Sequence, residues 1–114
     1  MTVLQKLLGA WMAEDYQVTA ACFSPGAQTK FIDYCPALVG QEPIYLYGDR
    51  TIEMYFRNAF YPMNRTFYIA EVKELGENEA NCFACYRGRY VFAHLYIEAT
   101  DENGCITRAV VRPE

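Results

Sequence analysis

"YVFAHLYIEA", Tyr90 to Ala99, is the stretch on which the reading of this chain turns. Alternation at period two puts Val91, Ala93, Leu95, Ile97 and Ala99 on one side of an extended strand, and Tyr90, Phe92, His94, Tyr96 and Glu98 on the other. One face is aliphatic and the other is aromatic and polar. His94, the only histidine in the chain, lies on the mixed face. That face either lines a cavity beneath other elements or forms the outer surface that meets a partner subunit, since aromatic and histidine side chains suit both settings.

The same texture extends to either side. "RTFYIAEVKEL" from Arg65, "EANCFACYR" from Glu79 and "CITRAVVR" from Cys105 also read as strands. Turns fall at "GENE", at Arg87-Gly88 and at "DENG", each with the glycine or asparagine a hairpin needs. The second half is therefore a four-stranded antiparallel meander.

The first half has a different period. Thr2 followed by Gln5 fits a capping box, and Val3, Leu4, Leu7, Leu8, Trp11 and Met12 form one apolar helical stripe. Asp15 caps a second, shorter helix in which Val18, Ala21 and Cys22 share a face, ended by "SPG" at 24 to 26. Two short strands follow, "TKFIDY" and "PIYLY", joined by "CPALVGQE". Gly48 then breaks the chain, Asp49 or Thr51 caps a third helix, and Ile52, Tyr55, Phe56 and Phe60 recur at helical spacing before Pro62. Helices first and strands second point to an α+β fold, with helices on one face of a curved sheet.

At 114 residues one domain is expected over 1–114, with roughly 65% of the extended chain's surface hidden on folding. Hydrophobic residues at 53% and aromatics at 16% provide the core to offset the entropy of ordering. Ten basic against 14 acidic residues, net charge −4, with no basic run longer than two, lack the footprint of nucleic-acid or anionic-membrane binding. No apolar run approaches the roughly 20 residues a bilayer needs, and no cleavable leader pattern opens the chain, so a soluble cytoplasmic protein is expected. Five scattered cysteines read as reduced core thiols. In "CFAC" an offset of three along a strand sends Cys82 and Cys85 to opposite faces, about 10 Å apart, too far for a disulfide or a shared metal.

The order of these pieces resembles the nuclear transport factor 2-like superfamily, which includes SnoaL-type polyketide cyclases and ketosteroid isomerases. The resemblance rests on "WMAEDY" closing the first helix, "CFSPGAQTKFIDYCP" as short helix, turn and strand, "GDRTIEMYF" as glycine into helix, and "DENGCITRAVV" as turn and last strand. It implies a cone-shaped α+β barrel, N-terminal helices packed on a curved antiparallel sheet. A ligand cavity at the wide end and a homodimer joined through the open sheet face are also implied. The partner expected is a small apolar or aromatic ligand, with no cofactor. Fold alone does not make an enzyme.

The resemblance also directs attention to particular residues. Asp33 in "IDYCP" stands near the place of the isomerases' general base, with Tyr34 and Cys35 as two extra residues before the proline. A carboxylate walled by aromatics is disfavoured in its charged form, which brings its basicity toward neutral pH. The isomerases' first-helix tyrosine has no counterpart here, since Trp11 occupies that inner face and the nearest phenol is Tyr16. Their penultimate-strand acid falls near Tyr96, which can donate a hydrogen bond to a ligand oxygen. His94 and Tyr96, about 6.7 Å apart along the strand, can flank one ligand group. Glu98, about 13 Å from His94, is too far to orient it, which leaves Asp33 as its acid partner. The expected site is thus Asp33, His94 and Tyr96 for acid-base chemistry of isomerase or cyclase type, with Trp11, Tyr16, Tyr55, Phe92 and Glu98 as ligand contacts and no metal. The alternative is a non-catalytic binding or assembly module whose aromatic sheet face serves homodimerisation.

Overall fold

The capping box closes as expected: Thr2 Oγ1 accepts from the Gln5 amide at 3.1 Å and Gln5 Oε1 accepts from the Thr2 amide at 2.9 Å. The computed structural model describes residues 1–35, 40, 42–61, 67–86 and 88–114. Helix α1 (Val3–Met12) buries Leu4, Leu7, Leu8 and Trp11, while Met12 at the end of the stripe stays exposed. Asp15 caps α2 (Tyr16–Ala21) by accepting from the Val18 amide at 3.0 Å. Its buried face differs from the expected one: Thr19 and Ala20 go inside and Ala21 stays out. Thr19 tolerates burial because its hydroxyl donates to the Asp15 carbonyl one turn back, at 2.7 Å.

Strands β1 (Lys30–Asp33) and β2 (Ile44–Tyr47) precede α3 (Asp49–Ala59). Neither Asp49 nor Thr51 caps α3. Gly48 holds that position at φ 87°, with its amide donating to the Thr29 carbonyl at 2.7 Å. Only a glycine takes that backbone readily; it is the positive φ and not crowding that selects it, since a Cβ there would make ordinary contact with the Gly26 carbonyl oxygen at 3.5 Å. Asp49 instead places its charge in the first turn, where the helix dipole favours it.

The meander follows as β3 (Phe67–Glu74), β4 (Glu79–Tyr86), β5 (Arg89–Thr100) and β6 (Ile106–Pro113). The sheet order is β2-β1-β6-β5-β4-β3, curved and not closed on itself. Every pairing between these named strands is antiparallel except β1 with β6, which run parallel. The all-antiparallel expectation missed this pair because the two strands are joined through most of the chain, with no hairpin to announce them. Register breaks between Ile69 and Glu71 and between Ile97 and Thr100 bend the long strands. Pro36, Pro62, Arg65 and Arg87, on which parts of the sequence-based expectation rest, lie outside the described residues, as does most of the "CPALVGQE" connection.

Helix α1 packs on α2 and β3, and α3 on α2 and β2, so the helices cover one face of the sheet. Between the layers the Trp11 ring meets Phe56 and Phe67, each at 5.5 Å between centroids, and Phe31 at 6.2 Å, while Phe60 closes on Phe67 at 5.7 Å. This interior is filled by rings in edge and tilted contacts, the geometries their quadrupoles favour.

Candidate functional site

Cross-strand register fixes which side chains share a face. One row runs Ile44, Asp33, Val111, Leu95, Ala80 across β2, β1, β6, β5 and β4. It faces the helices, and Leu95 in it is 0% exposed. The adjacent row, Arg112, His94, Asn81, Lys73, lies one residue along and faces away from them. Asp33 and His94 are therefore on opposite faces of the sheet. The expected acid-histidine pair does not form, because strand parity, which spacing within one strand cannot relate to a distant strand, separates them.

Asp33 is buried. Its Oδ1 accepts from the Cys35 amide at 2.8 Å and its Oδ2 accepts from the Tyr55 hydroxyl of α3 at 3.4 Å. Burial pushes the carboxyl up to about 6, against the two donors, which favour the charged form. The Cys35 contact was missed in the sequence, although an aspartate bonding the amide two residues on is a familiar turn signal. Tyr55, expected as a ligand contact, reaches the interior carboxyl directly. Trp11 lies in the ring cluster with its Nε1–H buried and without a partner among the described residues. Tyr16 is half-buried against the core.

The remaining expected residues are on the outer face. His94 Nε2 lies 2.8 Å from Glu79 Oε2, so its carboxylate partner comes from the neighbouring strand. The His94 and Tyr96 rings do stand side by side, 6.4 Å apart and within 13° of parallel, on a groove of about 260 Å3 that Glu98, Val110 and Arg112 also line. Glu98 pairs with Arg108 at 3.3 Å. Phe92 tilts against Phe83 at 4.8 Å, and Phe83 stacks on Tyr90 at 5.2 Å. Tyr90 and Tyr68 bring their hydroxyls to 3.0 Å. Toward the β2 edge, Lys30 Nζ sits 5.2 Å from the centres of both Tyr45 and Tyr47, and the Arg112 guanidinium lies over Tyr34 at 5.6 Å. Tyr45 and Tyr47 were not expected on this face from the sequence; the alternation in "IYLY" was the available signal. Among the described residues no three His, Cys, Asp or Glu side chains gather as metal ligands, and no helix is long and apolar enough to cross a membrane.

No protein-family model matches the chain, and no curated protein matches it in sequence. Solved structures do. A provisionally named ketosteroid isomerase from Kribbella flavida superposes with TM-score 0.64 at 14% identity, covering 98% of this chain and 75% of that one. A provisionally named polyketide cyclase from Sinorhizobium meliloti gives 0.63 at 15%, covering 96% and 93%. A protein of ketosteroid isomerase-like fold from Catenulispora acidiphila, solved in complex with trimethylamine, gives 0.61 at 14%, covering 97% and 85%. With helices on one side of a curved open sheet and this set of structural relatives, the chain has the nuclear transport factor 2-like α+β fold.

Proposed function

We propose that the protein works as a homodimer joined through the outer face of its sheet. The observation that supports this most is the concentration of exposed rings there: Tyr45, Tyr47, Tyr90, Phe92 and Tyr96 retain between 45% and 62% of their surface. Isolated apolar residues on a surface need no explanation, but a contiguous aromatic array does. Tyrosine and phenylalanine with a few charged residues is the composition of interface centres. On this reading His94, Tyr96, Phe92 and Glu98 are interface residues, and the polar groups of Glu79, His94 and Arg112 fix register between subunits. Native mass spectrometry tests it: the parent chain should run at twice the chain mass and the double variant Tyr90→Ser, Phe92→Ser at the single mass. A parent that stays monomeric at high micromolar concentration sinks the reading.

A second reading rests on Asp33. A buried carboxyl lifted to about 6 and touched by the Tyr55 hydroxyl is a group that can take up and return a proton near neutral pH. We infer a small apolar or aromatic ligand admitted on the helix side of the sheet by parting of the packed rings, with Asp33 as base, Tyr55 and the Cys35 amide orienting its oxygens, and Trp11 and Tyr16 as the apolar wall so opened. Isomerase or cyclase chemistry uses such a group, and two of the structural neighbours carry those names. Native spectra of the freshly purified chain should contain a bound mass that disappears in Asp33→Asn and persists in His94→Gln; a mass lost only in His94→Gln would move the site to the outer face.

A further inference from the structure

Cys22 closes α2 and Cys105 stands just before β6, with most of the chain between them. They meet across an isolated parallel bridge. The Ile106 amide donates to the Cys22 carbonyl and the Ser24 amide to the Ile106 carbonyl, both at 2.8 Å, pairing Phe23 with Ile106. Cys22 and Cys105 each precede a member of that pair, so their Cα atoms are about one inter-strand spacing apart, roughly 5 Å, inside the range a disulfide spans. Both thiols are free, and both line a single surface concavity of about 340 Å3 together with Lys6 of α1. Cys105 is half-exposed and Cys22 buried, with its Sγ donating to the Val18 carbonyl at 3.3 Å. No other pair combines adjacency with access: Cys82 and Cys85 face opposite ways, and Cys35 is buried.

We propose that Cys22 and Cys105 form a reversible disulfide that ties the end of α2 to the start of β6, with a small organic disulfide such as oxidised glutathione as oxidant. The Cys105 thiolate attacks one glutathione sulfur, breaking its S–S bond and releasing one glutathione thiolate. Cys22 then turns from Val18, gives up its proton and attacks the Cys105 sulfur, releasing the second. Two protein thiols are oxidised, one glutathione disulfide is reduced to two thiols, and both protons end on glutathione.

Burial pushes the Cys22 thiol up to about 11, and the Lys6 amine draws it part of the way back. Lys6 and Cys105 are the titratable groups that act on it, and the Met1 end of the chain lines the same concavity. The closing step needs the Cys22 thiolate and so should quicken about tenfold per pH unit between 7 and 9.

The test is peptide mapping of the full chain after incubation with oxidised glutathione and alkylation. The expected result is a Cys22–Cys105 linked peptide, free thiols falling from five to three, and full reversal by dithiothreitol. Cys22→Ala should leave glutathione on Cys105, and Cys105→Ala should leave Cys22 unmodified. A parent chain that keeps a stable glutathione on Cys105 beside a free Cys22, or that links any other pair, overturns the proposal.

Discussion

On β5, Val91, Ala93, Leu95 and Ile97 are buried beneath the helices, while Tyr90, Phe92 and Tyr96 from the same strand retain 45% to 62% of their surface. Neighbouring residues thus serve different equilibria. The inner face contributes to folding of the single chain, and the outer face has little to lose until another molecule covers it. The largest expected effect is accordingly at Leu95. Leu95→Ala should cost about 2–5 kcal/mol in denaturant unfolding, through lost transfer energy and the cavity left behind, in a domain whose whole stability is of order 5–15 kcal/mol. A cost below about 1 kcal/mol would mean that the division of faces is wrong.

Asp33 is the polar exception on the inner face, and its effect on stability has a definite sign. The folded chain holds this proton up to about pH 6, whereas the unfolded carboxyl loses it near 3.8. Stability from this group is therefore fully present below about pH 4 and lost as pH rises through 6, by roughly 3 kcal/mol for a shift of about two units. Asp33→Asn removes the charge, so its melting temperature should be flat across that window where the parent's falls, and the variant should exceed the parent at pH 8. Parallel pH profiles for the two chains would show the carboxyl to be better solvated than its burial implies.

The outer face predicts a smaller and different response. Phe92→Ala removes a ring that is 62% exposed in the single chain, so monomer unfolding should move by no more than about 0.5 kcal/mol. The dimer, on the proposed interface, should weaken at least about tenfold, or 1.4 kcal/mol, measured by concentration-dependent light scattering. Equal effects on both quantities would count against a face reserved for assembly.

Much of this division could be read in the sequence. Alternation within β5 separated the two residue sets correctly, because side-chain parity in a strand is a local property. The capping residues Thr2 and Asp15 were legible for the same reason. Which set looked inward was not legible, since an aromatic set with one histidine suits a cavity and an interface alike. The pairing of Asp33 with His94 failed at the next level. It depended on two registers together, the parallel one of β1 with β6, which places Val111 opposite Asp33, and the antiparallel one of β5 with β6, which places Arg112 opposite His94, and no residue within β1 or β5 encodes that alignment. The Tyr55 contact likewise needed α3 set against β1. Asp33 itself was singled out by the resemblance, which sets an aspartate near the end of the first strand, and that placement does not depend on the register.

His94 gives the smallest expected effect and the closest test of the comparison. Its bond to Glu79 is 2.8 Å long, but both side chains are partly exposed, 31% and 42%, and polar pairs so hydrated contribute at most about 1 kcal/mol. Glutamine keeps a donor of similar reach, so His94→Gln should change unfolding of the single chain by less than about 0.5 kcal/mol. Assembly should respond more, because covering the face would strip water from Glu79 and Arg112 and make the loss of a matched partner more costly than it is in the exposed monomer. Parent and variant that unfold alike but associate differently, compared at one ionic strength, would place His94 in the interface. If association is also unchanged, the assembly surface must lie toward the other rings, centred on Tyr90 and Phe92 or on Tyr45 and Tyr47, because those sites expose as much surface without relying on this pair.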